Sequence, residues 1–429
     1  MMNDYLKSIT PDSFSGEIFA YEGIDNVITL VNGPSGCKFY HSATADYQTI
    51  KQSEFDPLNF PEKWYFGQPR VPCTYLDTKD YVYGSQDKLE EAISYLSENV
   101  THDLLCLVNS HGASLIGDDL EKIVVSVSNR DFVIIESPGY SLDISDGFDY
   151  AFVQLFKQLG IKKRGVKKKT VNILGLSIYH KHHLGDIEEL ERLFNLCGIE
   201  VNTFLGAKCS LEEIKNITTA QLNIVLHPEY GIKSAEYLKD ELDMPYYVCE
   251  GLPIGFKSTA KLFSEVSDIL ECDIEEFIID SEKARANVYP YISRVNSLTG
   301  LPKSVPYSIE GSYSEVYSYV SFLSGYLGMI IERINILNED NKYSKKLLDE
   351  LLFLYNRSDA YNINIFDNNS DLFFGNGNSI AKMKLLNKDF SGIEICLPSL
   401  GYIDIVKKTH LGNTGAKYLI EQVLNGLMF

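Results

Sequence analysis

The segment Val31-Asn32-Gly33-Pro34-Ser35-Gly36-Cys37 joins the end of an apolar run to a turn of glycine and proline that ends in a cysteine. Apolar residues followed by small, turn-forming residues are typical of the carboxyl end of a strand in an open α/β sheet. Such sheets bind their ligands at that end. We therefore predict that this turn presents the Cys37 thiol to a binding site.

Two later segments are built in the same way. Residues 104–119 run from an apolar stretch through Ser110 and Gly117 into the helical pattern that begins at Leu120. Residues 133–140 end in Ser137-Pro138-Gly139-Tyr140. Because the carboxyl ends of parallel strands meet at one edge of a sheet, three such turns predict a single site. The small residues expected to line that site are Gly33, Gly36, Gly117, Pro138 and Gly139.

Apolar, β-branched runs alternate with amphipathic helical patterns along the chain, which indicates parallel sheets. Strand patterns at 172–176, 200–205 and 222–226 are followed by helical patterns at 186–197, 211–217 and 233–242. We predict an α/β protein of three Rossmann-like domains, each with a parallel sheet flanked by helices. The boundaries are placed at 1–168, 169–290 and 291–429, on the basic segment 162–169 and on Pro290.

The chain of 429 residues has a formal net charge of −20, which argues against a nucleic-acid partner or an anionic membrane surface. Its eight cysteines show no Cys-x-x-Cys pair, a pattern typical of a reduced, cytoplasmic protein rather than a disulfide framework. No apolar run approaches the ~20 residues that span a bilayer. No Gly-x-x-x-x-Gly-Lys-Ser/Thr loop is present, so the sequence predicts no ATP site of its own.

Four segments, in this order, resemble the nitrogenase component 1 family. They are the turn ending at Cys37, the segment 78–89 (Thr-Lys-Asp-Tyr-Val-Tyr-Gly-Ser-Gln-Asp-Lys-Leu), the sequence Ile-Gly-Asp-Asp at 116–119, and Pro-Gly-Tyr at 138–140. The family includes the nitrogenase molybdenum-iron protein, the scaffold for its cofactor, and the light-independent protochlorophyllide reductases. The resemblance implies an oxidoreductase subunit that is catalytic only within a complex.

Departures from the family pattern indicate which kind of subunit this is. Two further cysteines of the family pattern fall on Asp12 and His111 in this chain, so that only Cys37 remains. In several family members a 4Fe-4S cluster lies between two unlike subunits, with three cysteine ligands from one and a single ligand from the other. The resemblance therefore implies a one-ligand, beta-type subunit.

The same resemblance implies the partners. The chain would pair with a homologous three-cysteine alpha-type subunit in a heterotetramer, and an ATP-dependent iron-protein reductase would deliver electrons, with ATP used only by that reductase. A homodimer remains open, in which each copy adds Asp12, Cys73 or His111 to Cys37. Two other functions also remain open: a scaffold subunit for assembly of a nitrogenase-type metallocofactor, and a structural subunit without metal.

Each candidate ligand also has a structural interpretation. Cys37 can be a buried core residue, Asp12 a helix or turn cap, and His111 a ring that satisfies turn backbone. Cys73 precedes the 78–89 segment and is expected near the site, and Asp118 or Asp119 is expected to cap the following helix.

Two groups of histidines are further candidates. The family's cofactor cysteine falls on His227, a weak candidate for a ligand or substrate contact. The group His180 to His183 is interpreted first as a solvent-exposed loop, with an anion or substrate contact as the alternative.

Overall fold

The structure is a computed structural model that describes residues 12–34, 36–37, 71–128, 130–136, 142–337, 341–362, 364–367, 370–386, 389–397 and 404–428. The turn residues Pro138 and Gly139 lie outside these ranges, so the structure does not bear on their predicted role.

The first part of the chain carries three strands. Its elements are α1 (Ser13–Glu22), β1 (Val27–Asn32), α2 (Thr78–Tyr83), α3 (Gln86–Asn99), β2 (Leu104–Asn109), a 3-10 turn (Ala113–Leu115), α4 (Leu120–Val127), β3 (Phe132–Ile135) and α5 (Ile144–Gln158).

The middle part carries four strands. Its elements are β4 (Thr170–Leu174), α6 (His183–Leu196), β5 (Glu200–Phe204), α7 (Leu211–Lys215), a 3-10 turn (Ile217–Thr219), β6 (Leu222–Val225), α8 (Pro228–Leu242), β7 (Tyr246–Val248), α9 (Gly255–Leu270) and α10 (Glu275–Thr299).

The last part also carries four strands. Its elements are β8 (Pro306–Gly311), α11 (Tyr313–Leu323), β9 (Ile330–Ile336), α12 (Lys342–Leu354), two 3-10 turns (Ala360–Asn362 and Ile365–Asp367), β10 (Leu372–Gly375), α13 (Gly377–Leu385), β11 (Ser391–Glu394) and α14 (Gly412–Met428).

The strands form three parallel sheets in the orders β1-β2-β3, β5-β4-β6-β7 and β11-β10-β8-β9. All six residues of β1 and of β2 are buried, as expected where helices cover both faces of a parallel sheet. The predicted α/β class, with three parallel sheets flanked by helices, is confirmed.

Most of the predicted elements of the middle sheet begin and end within a few residues of the observed ones. The division into domains at 168 and 290 stays a prediction. Residues 162–169, between α5 and β4, are exposed, as a linker requires. Pro290, however, lies inside the continuous helix α10, and α14 returns from the end of the chain to pack against α9 and α10.

No helix among the described residues is long and apolar enough to span a lipid bilayer.

A buried carboxylate joins the first sheet's helix α5 to the second sheet's helix α8. Asp149 accepts hydrogen bonds from the backbone N–H of Lys233 at 2.7 Å and of Ser234 at 2.9 Å, and from the Ser234 hydroxyl. Burial raises the pKa of Asp149 to about 6, although these hydrogen bonds act in the opposite direction. The contact therefore joins the two helices, and its contribution to the free energy of unfolding depends on pH.

We expect Asp149→Asn to remove this pH dependence. The folded protein binds the Asp149 proton more tightly than the unfolded chain does, so the contribution to stability is full below pH ~4 and is lost as pH rises through about 6. Relative to the variant, the wild type should lose up to about 3 kcal/mol of unfolding free energy between pH 4 and pH 7. Urea denaturation of both proteins across this range measures the difference, and a constant or opposite difference would contradict the assignment.

Candidate functional site

Two asparagine side chains join the carboxyl ends of β1 and β2. Asn32 and Asn109 are partners in the sheet register, and the Asn32 amide donates to Asn109 Oδ1 at 2.9 Å. The Asn109 amide in turn donates to the Glu136 carbonyl, just after β3, at 3.0 Å. A row of side-chain amides therefore ties together the ends of all three strands of the first sheet.

The segment after residue 70 fixes the turn that follows β1. In this segment, the backbone N–H groups of Thr74 and Leu76 donate hydrogen bonds to the carbonyls of Val31 and Gly33, each at 3.0 Å. The Thr74 hydroxyl donates to Asn32 Oδ1 at 2.8 Å and accepts from the Gly33 N–H at 3.0 Å. The turn is thereby held on one side by β2 and on the other by residues 71–76.

Gly33 lies in close contact with Ser110, the first residue after β2. A Cβ atom at Gly33 would lie 2.6 Å from the Ser110 hydroxyl oxygen, which is too close for any other residue without a shift. The Ser110 hydroxyl accepts from the Ala113 N–H at 3.3 Å, and it acts in part to lower the pKa of both the Cys37 thiol and the Tyr81 hydroxyl. The two predicted turns thus meet, and Ser110 connects them to Cys37.

Cys37 is half-buried at the centre of this arrangement. Burial raises the pKa of its thiol above the ordinary value, the Ser110 hydrogen bond lowers it in part, and the charge of Asp12 raises it further. A thiol of this kind is protonated in the free chain and loses its proton when a metal binds.

Asp12 and His111 approach each other beside this site. Asp12 Oδ2 lies 3.9 Å from His111 Nε2, and the His111 ring meets Phe14 edge to face at 5.8 Å between centroids. Asp12 also caps α1 by accepting from the Ser15 N–H at 3.2 Å, so its predicted role as a cap is confirmed. Their role as metal ligands stays a prediction.

Cys73 lies on the other side of the turn, as expected from its position before α2. Its thiol donates to the Gly33 carbonyl at 3.1 Å, and Cys73 is bridged to Val31 along the strand direction. This contact gives the residue a clear structural role in holding the turn.

The remaining small residues differ in their surroundings. Within the described part of the chain, a Cβ atom at Gly36 would meet no atom within 4 Å, and neither would one at Gly117, whose φ of 80° favours glycine at the turn before α4. Asp119 caps α4 through the Lys122 N–H at 3.1 Å, as predicted, whereas Asp118 accepts from the N–H and hydroxyl of Ser85 at 2.7 and 2.6 Å.

The described residues contain no group of three or more His, Cys, Asp or Glu side chains that could hold a metal ion. The Cys37 thiol is one of the side chains described around this turn that could ligate a metal. Four thiolates are the usual ligands of a 4Fe-4S cluster.

Exposed apolar side chains surround the site. Val82 and Tyr83 on α2 are 68% and 86% exposed, and Leu115 is 81% exposed. Tyr81 on α2 contacts Gly112 in the segment that carries Leu115, so the two segments adjoin. Val82, Tyr83 and Leu115 are called the apolar rim below.

His227 lies away from this edge, at the carboxyl end of β6 in the second sheet. Its ring is buried and stacks on His180 with 4.4 Å between centroids, and burial lowers the pKa of His227 to about 3. The first interpretation of residues 180–183 as a solvent-exposed loop is wrong for His180 and His182, which are both buried.

Four residues of the site went unrecognised in the sequence: Asn32, Asn109, Ser110 and Tyr81. A signal existed for the asparagines, because Val-Asn followed by a small residue occurs at the end of both β1 and β2. The contact of Tyr81 with Gly112 joins residues that are distant in sequence, and no local pattern indicates it.

We expect Asn32→Ala and Asn109→Ala each to lower the unfolding free energy by about 1 to 3 kcal/mol, because each leaves a buried amide partner unsatisfied. The double variant should show a coupling energy of about 0.5 to 3 kcal/mol. Asn99→Ala is the control, since exposed Asn99 donates only to a carbonyl of its own helix, and should change stability by less than about 0.5 kcal/mol. If the losses of unfolding free energy in Asn32→Ala and Asn109→Ala are strictly additive, the two side chains do not interact, which would contradict the row of side-chain amides.

Curated relatives match the chain over part of its length. The B-type chain of the light-independent protochlorophyllide reductase of Gloeothece citriformis is 29% identical over 269 residues, which are 59% of this chain and 50% of that protein. Its counterpart from Chaetosphaeridium globosum is 26% identical over 262 residues, or 58% of this chain and 48% of that protein. The chain thus spans about half the length of these relatives.

Solved structures share the fold over nearly the whole chain. A chain of nitrogenase Cp1 at pH 6.5 superposes with a TM-score of 0.77 at 15% identity and covers 98% of this chain and 94% of that chain. A second, at pH 5, has a TM-score of 0.74 at 16% identity, with coverages of 98% and 88%. The family model described as nitrogenase component 1 type oxidoreductase matches residues 13–428. The resemblance inferred from four short segments is confirmed: the chain belongs to the nitrogenase component 1 type oxidoreductase family.

Proposed function

We propose that this chain is the one-ligand, beta-type subunit of a nitrogenase-like oxidoreductase, and that the Cys37 thiolate is its ligand to a 4Fe-4S cluster shared with a homologous three-cysteine subunit. The observation that carries the proposal is the position of Cys37. It is a half-buried thiol next to the paired ends of β1 and β2, beside Ser110 and the apolar rim.

The residues around Cys37 suit an incomplete site. The Cys73 thiol donates a hydrogen bond to the Gly33 carbonyl, so Cys37 is the better placed of the two thiols to bind a metal. Gly36 is exposed and has open space at its Cβ position, so a bulky group can approach the backbone there. Asp12 and His111 are second-rank candidates, at 3.9 Å from each other beside the thiol.

The chain's own groups would hold and tune the bound cluster. When bound, a 4Fe-4S cluster supplies storage and transfer of single electrons. The Ser110 hydroxyl, which already acts to lower the pKa of Cys37, would donate to the ligating sulfur, and hydrogen bonds to sulfur shift the reduction potential of such groups. The amide row under the turns would keep the thiol in place.

The implied partners follow from the incomplete donor set and from the family. The alpha-type subunit would cover the apolar rim, and an ATP-dependent iron-protein reductase would supply the electrons.

We expect Cys37→Ser to remove iron, or make it labile, in the complex purified without oxygen through a tag on this chain. Native complex should contain about four irons per pair of unlike subunits, with an EPR signal after reduction. Cys272→Ser is the matched control, because Cys272 is also a half-buried free cysteine, and it should keep the iron. Equal iron content in both variants would contradict the ligand assignment, and four irons per two identical chains would favour the homodimer.

We expect Leu115→Glu to abolish copurification of the alpha-type subunit, since it puts a charge into the apolar rim. Leu298→Glu provides the comparison, since Leu298 is 68% exposed on α10 and belongs to another surface. The tagged variants are compared by the ratio of the two subunits after purification. Loss of the partner from both variants, or from neither, would show that the apolar rim is not the interface.

A further inference from the structure

A small cavity lies at the carboxyl end of β4, in the second sheet. It has a volume of about 60 Å³ and is lined by residues 178–185, which connect β4 to α6, and by residues 404–408. A single water needs only ~10–15 Å³ of such a volume, so the cavity has room for a small ion.

The cavity is built around the first turn of α6, a helix of 14 residues. His182, the residue before the helix, has a left-handed backbone with φ 65° and makes no side-chain cap. A Cβ atom at Gly185 would lie 1.8 Å from the Lys408 carbonyl oxygen, so the segment 404–408 packs directly on the helix start. The positive end of the α6 dipole therefore faces a space closed by this segment.

Two buried imidazoles line the cavity, and each has a nitrogen without a partner among the residues that the structure describes. The Ser177 N–H donates to His180 Nδ1 at 3.0 Å, which leaves the proton of the neutral ring on Nε2, and that nitrogen has no hydrogen-bond acceptor. His182 Nδ1 lies 2.6 Å from Asp404 Oδ2, and its Nε2 also has no partner. Both residues are 6% exposed, so bulk solvent does not satisfy these nitrogens.

Lysine side chains converge on the same space. Lys181 is nearly buried, with its ammonium group 3.4 Å from Glu394 and 3.7 Å from Asp404. Lys408 lies 3.7 Å from the other oxygen of Asp404. Two carboxylates, Asp404 and Glu394, therefore face the two ammonium groups and the His182 imidazole, so that the charges of the lysines and carboxylates balance.

We propose that this cavity binds a small oxyanion, of the carboxylate or phosphate type. The Nε2 groups of His180 and His182 would donate to its oxygens, with Lys181 and Lys408 supplying charge. Asp404 would accept the proton on His182 Nδ1, and the charge of the bound anion would favour a second proton on Nε2 of the same ring. The proposal does not depend on Cys37 or on any cluster, because the two sites belong to different sheets.

Titration calorimetry of the full chain with sodium phosphate and with sodium formate, in a buffer otherwise free of oxyanions, tests the proposal. We expect saturable 1:1 binding of at least one probe. Tighter binding of phosphate assigns a phosphoryl ligand, and tighter binding of formate assigns a carboxylate. Absence of saturable binding of both probes means that the cavity holds only water, and overturns the proposal.

Variants locate the binding. His180→Asn and His182→Asn keep a polar atom near the Nδ1 position but remove Nε2, and each should weaken binding about tenfold or more. Lys408→Met removes a charge at the exposed edge with little risk to folding and should also weaken it.

His102→Asn is the matched control. His102 is buried, its Nδ1 lies 2.8 Å from the Val100 carbonyl, and its Nε2 is likewise unpartnered, but it does not line the cavity. The affinity of the His102→Asn variant for the probe should equal that of the wild type. Equal affinity in all four variants, with their fold confirmed by circular dichroism, would place the binding elsewhere and overturn the assignment.

Discussion

The hydrogen bond between the amides of Asn32 and Asn109 is the constraint on which the Cys37 site depends. It joins two strands at the last residue of each, where the register pairs them, and it continues to the end of β3 through the Glu136 carbonyl. Buried amides keep such a geometry only while every partner is present, because an unsatisfied group in the core is destabilising. The turns that follow are therefore fixed side by side, and Ser110 reaches Cys37 from the neighbouring turn.

Asparagine side chains also join neighbouring strands of the second sheet. Asn172 donates to Asn223, its partner in the register, at 2.7 Å, and accepts from Asn202 on β5 at 2.7 Å. Between the second and third sheets, Glu229 accepts from the N–H and hydroxyl of Ser314 at the start of α11. Polar side chains thus set the geometry at places where apolar packing alone would leave the register of the contact open.

Local patterns in the sequence were sufficient to predict the parallel sheets and the turn that presents Cys37, because both depend on neighbouring residues. They were insufficient where the structure depends on distant contacts. His180 and His182 occur in a polar stretch that looks like an exposed loop, yet residues 404–408, more than 200 positions away, pack on it beside His182, and His227 and Tyr230 pack against the His180 ring. The long helix across Pro290 is a similar case, since tertiary packing overrides the local tendency of proline to interrupt a helix.

Iron-edge anomalous diffraction from crystals of the oxygen-free complex tests whether Cys37 binds the cluster. We expect an anomalous peak from a cluster at the subunit interface, with one iron within bonding distance of Cys37 Sγ and the other ligands mainly from the partner subunit. A cluster bound without Cys37, or a complete complex with no anomalous peak near this thiol, would contradict it.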